Sequence, residues 1–169
     1  ENMFPHNECE IAQAEVLHDT TFAKYWLLAG SLTVNGVKMS KSLGNFLTIK
    51  DAVALYKPEA IRYFVLSSHY RGPVDFSRDA LQAAQRGIER LHNTVLKIHR
   101  RMQSALPAGT AVLSDVSSLV DYRDAFEEAM NDDFNTPKAL AVIFDMVKEA
   151  NRQLDEKVNL SMGTLAAMD

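Results

Sequence analysis

Cysteine is all but absent. Cys9 is the single one in 169 residues, so no internal disulfide framework can form, and a reducing, cytoplasmic setting is expected. Long apolar runs are missing too: none approaches the ~20 residues that a membrane helix needs. The opening Glu1-Asn2-Met3-Phe4-Pro5 lacks the basic-then-apolar layout of a secretory signal. There is no internal repeat and no low-complexity tract. Neither sign of charge dominates. With 18 basic and 22 acidic residues the net charge is −4, so any surface for nucleic acid has to be a local patch. What is present is ordinary globular usage, 47% hydrophobic and 24% charged. That excludes a mainly disordered or fibrous chain and suffices for one domain or two small ones.

The chain has two unlike halves. Residues 1–76 mix helix-like and strand-like stretches with Gly, Pro and Ser punctuation. Pro5 suits the opening turn of a helix over about 6–18. Tyr25 to Val34 reads as one strand, or two short ones broken at Gly30, and Asn35-Gly36 is a turn signal. Thr48-Ile49-Lys50-Asp51 has the form of a capping box for a helix to about Tyr56. Pro58 starts another helix reaching about Ser68, and Gly72-Pro73 ends it.

Residues 77–169 read almost wholly as amphipathic helices. Ser77 can cap a long helix to about Gln103, with Ile88, Leu91, Val95, Ile98 and Met102 on one face. At 100° per residue, Arg86, Arg90, Lys97 and Arg101 fall on the opposite face. Pro107 to Thr110 is a loop. Leu119, Tyr122, Phe126 and Met130 mark the next helix. Thr136 caps, and Pro137 opens, a helix with Leu140, Ile143, Val147, Ala150 and Leu154 on one stripe. The last residues look like the start of another helix. Facing stripes need each other, so this half predicts an antiparallel helical bundle, and the whole chain is mainly α with a small α/β part.

Three stretches carry chemistry. The first is Lys38-Met39-Ser40-Lys41-Ser42-Leu43-Gly44-Asn45, a polar loop after a strand. Its lysines can pair with phosphate oxygens, its hydroxyls can donate, and its glycine gives the loop freedom. Such a loop suits phosphoryl or nucleotidyl chemistry, where charge builds on pyrophosphate. By charge alone, a solvated basic turn is the commoner explanation. The second is His6-Asn7-Glu8-Cys9-Glu10. On a helix, His6 and Glu10 project together and Cys9 lies close by, which makes a possible half of a zinc site. A helix N-terminus whose acids favour the dipole explains the same residues. The third is Met130-Asn131-Asp132-Asp133-Phe134-Asn135-Thr136-Pro137, read on its own as a tight turn between two helices.

As strings, these stretches point further. Lys38 to Ser42 resembles, letter for letter, the KMSKS signature of class I aminoacyl-tRNA synthetases. Phe4-Pro5-His6 through Glu10-Ile11-Ala12-Gln13 is similar to the FPHHENEIAQ segment of cysteinyl-tRNA synthetases. Asp132 to Leu140 resembles that family's DDFNTPxAL element, and His69 to Ser77 its HYRxPLNFS stretch. The similarity runs from about Phe4 to Arg152.

The resemblance implies the C-terminal part of a Rossmann-like nucleotide-binding domain over 1–76, then a helical bundle of tRNA-binding type over 77–169. It implies activation of cysteine by ATP with magnesium, then transfer to tRNA-Cys. Lys41, supported by Lys38, would steady the pyrophosphate, with Met39, Ser40 and Ser42 also at the ATP. His6 and Glu10 would be two of four ligands to a zinc that binds the substrate thiolate, which a soft-accepting metal prefers to a hydroxyl. By that alignment Cys9 is not a ligand.

The sequence also departs from the pattern. Asn7 stands where relatives carry a second histidine, and Leu28 where they carry a polar residue near the active site. The HIGH signature and two cysteine ligands that the family places upstream are not in this sequence. The expectation is therefore a partial synthetase, inactive by itself and partnered by the missing N-terminal part of the same enzyme. The related cysteine ligase of mycothiol synthesis, and a non-catalytic RNA-binding helical module, are the alternatives. Trp26 reads as packing. The basic stripe of the long helix reads either as a solvated face or as a track for an RNA backbone.

Overall fold

The computed structural model describes residues 3–45, 47–104 and 113–156; for Lys41, Ser104 and residues 113–119 it describes the backbone only. The expected loop at Pro107–Thr110 and the helix expected at the C-terminal end lie outside the described residues. The chain divides into two compact units, residues 1–47 with 70–77, and residues 48–69 with 78–169.

The first unit opens with a wide helical turn, Met3–Asn7, that runs into α1 (Glu8–His18). Asp19 closes α1 in the left-handed region (φ 51°), its N–H donating to the Glu15 carbonyl at 2.8 Å. A three-stranded sheet follows, formed by β1 (Leu32–Val34), β2 (Val37–Lys38) and β3 (Val74–Phe76) in the order β2-β1-β3. β1 and β2 form an antiparallel hairpin through Asn35 (φ 49°) and Gly36 (φ 75°). Two successive positive φ values are the signature of the primed turn that fits strand twist, which is why Asn-Gly stands there. β3 lies parallel to β1, with Thr33 opposite Asp75.

The strand expected over residues 25–34 shrinks to Leu32–Val34. Tyr25 to Ser31 has no regular pairing; instead the Gly30 N–H donates to the Tyr70 carbonyl at 2.7 Å, and the Val74 N–H to the Ser31 carbonyl at 3.0 Å. These bonds bring two backbones so close that a Cβ on Gly30 would lie 2.0 Å from the Gly72 oxygen. Glycine is required there by proximity. The Trp26 and Phe22 ring centroids lie 5.8 Å apart in a tilted pair, and both side chains are exposed.

In the second unit, α2 (Ile49–Leu55) begins at the expected capping box: the Asp51 N–H donates to Thr48 Oγ1, and the Thr48 N–H donates to the Asp51 carboxylate. α3 (Pro58–Leu66) has proline in its first turn. The long α4 (Arg78–Ser104), α5 (Leu113–Asn131) and α6 (Thr136–Glu156) complete the bundle. α3 packs on α4, α5 on α6, and α4 on α6. Alanines 60, 84, 129, 139 and 150 are all buried, small residues that let helices approach closely, while Leu81 and Ile98 fill the α4 core.

Two expectations need correcting. The buried stripe of α4 carries Thr94, whereas Val95 is 38% exposed. Thr94 is tolerated inside because its hydroxyl donates to the Arg90 carbonyl at 3.1 Å and accepts from Asn151 Nδ2 at 2.7 Å. The cap of α6 is Asn135 rather than Thr136. The Asn135 Oδ1 accepts the Lys138 N–H at 3.2 Å and its carbonyl accepts the Ala139 N–H at 3.0 Å. The two residues before it, Asp133 and Phe134, both take φ near +54°, reversing the chain between α5 and α6.

Candidate functional site

The lysine-bearing loop grows out of the hairpin. β2 ends at Lys38, and the Met39 N–H makes one more bond back to the sheet, to the Leu32 carbonyl at 3.3 Å. Lys41–Leu43 forms a single tight helical turn. Ser40 organises that turn: its Oγ accepts the Leu43 N–H at 3.3 Å and lies 3.1 Å from Ser42 Oγ. Asn45 closes the loop from the far side, accepting the Ser40 N–H on Oδ1 at 2.9 Å and donating from Nδ2 to the Lys38 carbonyl at 3.3 Å. Between them Gly44 takes φ +65° with open space where a Cβ would stand. Its requirement is conformational. Ser42 is exposed, Met39 and Ser40 are half-buried, and the Lys41 side chain lies outside the described structure. The arrangement is a preformed polar loop, and such a loop can present a lysine pair to an anion without first being ordered.

The turn before the loop is also held. Asp75 on β3 accepts the Thr33 hydroxyl at 2.6 Å and the Gly36 N–H at 2.7 Å. These two donors, Thr33 first, hold its carboxyl below the usual carboxylate value. No spacing in the sequence marks Asn45 or Asp75 as functional. The available signals are an Asn just after a loop glycine, and a three-residue stretch too short to announce a strand.

His6, Cys9 and Glu10 are all exposed at the start of the first unit. Among the described residues, no three or more His, Cys, Asp or Glu side chains come together as a metal site. A structural or substrate-binding zinc takes about four donors, and His6 with Glu10 offers two.

In the second unit, Arg86, Arg90 and Lys97 do not point away from the packing face. With Arg100 and Lys148 they line a groove of about 720 Å³ between α4 and α6, and Arg101 lines a smaller hollow next to it. The reason is angular: the basic positions flank the buried stripe, so they meet the side of α6. Arg90 lies over the Phe144 ring at 5.4 Å, and Lys97 donates to Asn151 at 3.2 Å. Among the described residues, none of the five cations lining the groove forms an ion pair. The other cations of α5 and α6 are neutralised: Arg123 by Glu127, Lys138 by Glu128, and Arg152 by Glu149 and Glu156. No helix among the described residues is long and apolar enough to cross a membrane.

Comparison with known proteins matches both halves. Residues 1–86 match the family model of the tRNA synthetases class I (C) catalytic domain, and residues 125–168 match the DALR domain. The chain is similar to the cysteine–tRNA ligase of Chlorobium chlorochromatii, 46% identical over 157 residues, covering 93% of this chain and 31% of that protein. Its likeness to the cysteine–tRNA ligase of Geobacter metallireducens is 45% over 157 residues, covering 91% and 32%. For that of Bacillus cereus it is 43% over 154 residues, covering 91% and 33%. The chain thus spans about a third of the length of these relatives. Among solved structures, the LeuRS of Agrobacterium radiobacter in a ternary complex with tRNA and LeuAMS aligns with a TM-score of 0.74. It is 21% identical, covers 99% of this chain and 23% of that one, and speaks for the fold.

Proposed function

Because the chain belongs to the class I (C) tRNA synthetase family, we propose that it forms part of a cysteine–tRNA ligase. The reaction joins cysteine to ATP as cysteinyl-adenylate and passes the aminoacyl group to tRNA-Cys, in the cytoplasm. The observation that carries this reading is the preformed loop from Lys38 to Asn45 on the end of the hairpin.

In this reading Lys38 and Lys41 are the catalytic cations. They neutralise the charge that builds on the pyrophosphate of magnesium-bound ATP as the α-phosphorus is attacked, and Met39, Ser40 and Ser42 shape the loop at the nucleotide. His6 and Glu10 supply two donors to a zinc, whose chemistry when bound is to prefer a thiolate over a hydroxyl. The other donors come from outside this chain. Residues 1–76 serve as the C-terminal part of the nucleotide-binding domain, and residues 77–169 as the helical domain that meets tRNA. The chain by itself is inactive.

The test is cysteine-dependent ATP–pyrophosphate exchange. The chain alone gives none. When it is supplied with the remaining part of a synthetase of this family, exchange appears, and Lys41→Ala lowers it by about 10²–10³. Exchange by the chain alone, or indifference to Lys41→Ala, overturns the reading.

A further inference from the structure

We infer that Asn45 is a positioning residue for the lysine loop, acting through the backbone of Lys38 and Ser40; the inference rests on the reading of that loop as the anion-binding element. Beyond Lys38 the sheet ends, yet the segment Lys38–Ser40 stays hydrogen-bonded on both sides. On one side the Met39 N–H reaches the Leu32 carbonyl at 3.3 Å. On the other, where a further strand would pair, the Asn45 side chain takes its place. Its Oδ1 accepts from Ser40 at 2.9 Å, and its Nδ2 donates to Lys38 at 3.3 Å. A carboxamide carries one acceptor and one kind of donor, as a peptide group does. Asparagine therefore mimics one residue of a neighbouring strand and extends the ladder by a pair of bonds.

This placement bears on the lysines directly. The Lys38 carbonyl that Asn45 holds belongs to the first lysine, and the Ser40 N–H immediately precedes the second. The Ser40 hydroxyl then fixes the tight turn Lys41–Leu43 through the Leu43 N–H. Gly44, at φ +65°, turns the chain so that Asn45 comes back over Lys38. A loop held in this way has less conformational freedom to lose when it meets an anion, so binding is tighter for the same contacts. Aspartate keeps the acceptor and loses the donor. Alanine loses both.

The experiment uses the full chain and two readouts. Backbone amide exchange at Ser40 reports the latch, with the Gly36 amide, held separately by Asp75, as the internal control. Titration with inorganic pyrophosphate, followed by the amide shifts of Ser40 to Leu43, reports the consequence. In Asn45→Ala, Ser40 exchange accelerates while Gly36 stays as in the wild type, and pyrophosphate affinity falls about 5- to 10-fold, the loss of one or two backbone hydrogen bonds. In Asn45→Asp, Ser40 stays protected because its acceptor survives, a rescue that a general loss of structure does not give. If Ser40 exchange in Asn45→Ala stays within twofold of wild type, or if Asn45→Asp exposes Ser40 as fully as alanine does, the inference fails. If the wild-type chain gives no pyrophosphate shift but the exchange pattern holds, the anion reading of the loop falls and the positioning by Asn45 stands.

Discussion

The carboxylate of Asp75 accepts the backbone N–H of Gly36 at 2.7 Å, across from its own strand partner Thr33, whose hydroxyl it also accepts at 2.6 Å. One side chain on β3 thus fastens the turn that leads into the lysine loop. Gly36 takes φ 75° with open space where a Cβ would stand, so the turn is set by backbone geometry and by this carboxylate together.

A pH dependence follows from that contact. The folded Asp75 titrates below its ordinary value of 3.8, because the Thr33 and Gly36 donors favour the anion. A lowered carboxyl stabilises the fold above the unfolded value, and the contribution is lost as pH falls through the folded one. The midpoint of the Gly36 amide shift with pH should therefore lie below 3.8. Asp75→Asn keeps an acceptor and removes the titration. A Gly36 inflection at or above the ordinary value contradicts the contact.

Gly30→Ala should disrupt the first unit. The new Cβ would fall 2.0 Å from the Gly72 oxygen and 3.0 Å from the Arg71 oxygen, both backbone atoms that cannot rotate aside. Relief requires parting the backbones that carry the Gly30–Tyr70 and Ser31–Val74 hydrogen bonds. The expected cost is at the upper end of overpacking, about 3 kcal/mol. Amide exchange at Gly30 and Val74 reads it residue by residue, and unchanged protection there refutes the close approach.

Thr94→Val tests the polar link between α4 and α6. Valine keeps the shape but leaves Asn151 Nδ2 without its 2.7 Å acceptor, although the Val147 carbonyl at 2.9 Å still receives one bond. A loss of about 1–2 kcal/mol is expected in denaturant unfolding. A neutral or stabilised variant means that helix packing alone sets the register.

The sequence carried the secondary structure where local chemistry decides it. The Thr48–Asp51 box, Pro58 and Asn35-Gly36 all act within four residues and stand where expected. It carried less where distant backbone decides. Tyr25–Ser31 reads as strand by composition, but pairing is limited to Leu32–Val34, and β3 is too short for its period to show. Val95 fits the helical stripe as well as Thr94 does. The Arg90 carbonyl and the partner Asn151, 57 positions away, together satisfy the hydroxyl of the buried threonine. At the loop, the lysines and serines were legible as a motif, whereas Asn45 and Asp75 act through backbone groups that no spacing rule connects.

Zinc affinity is the next measurable consequence. His6 and Glu10 are exposed, and no third His, Cys, Asp or Glu joins them among the described residues. Two donors of a tetrahedral set bind weakly. Competition with a chromogenic chelator should show no tight stoichiometric zinc in this chain, and His6→Ala should remove the weak binding that is present. Tight zinc at one equivalent means that the chain assembles a site by itself.

The groove between α4 and α6 gives the last prediction. Arg86, Arg90, Lys97 and Arg100 extend over ~21 Å of helix at 1.5 Å per residue, a length that suits a run of phosphates better than a single one. The chain's net charge of −4 makes such a cluster stand out, and concave walls concentrate its field. If tRNA lies along it, the logarithm of affinity falls steeply with the logarithm of salt, by nearly one per phosphate contacted. Replacing Lys97, Arg100 and Lys148 by Gln, with Arg90 left in place because it lies over Phe144, should lower that slope by about two to three. Replacing Arg123 and Arg152, whose charges are already matched by Glu127, Glu149 and Glu156, should leave it nearly unchanged. Equal effects from the two sets mean that net charge, and not the groove, governs the association.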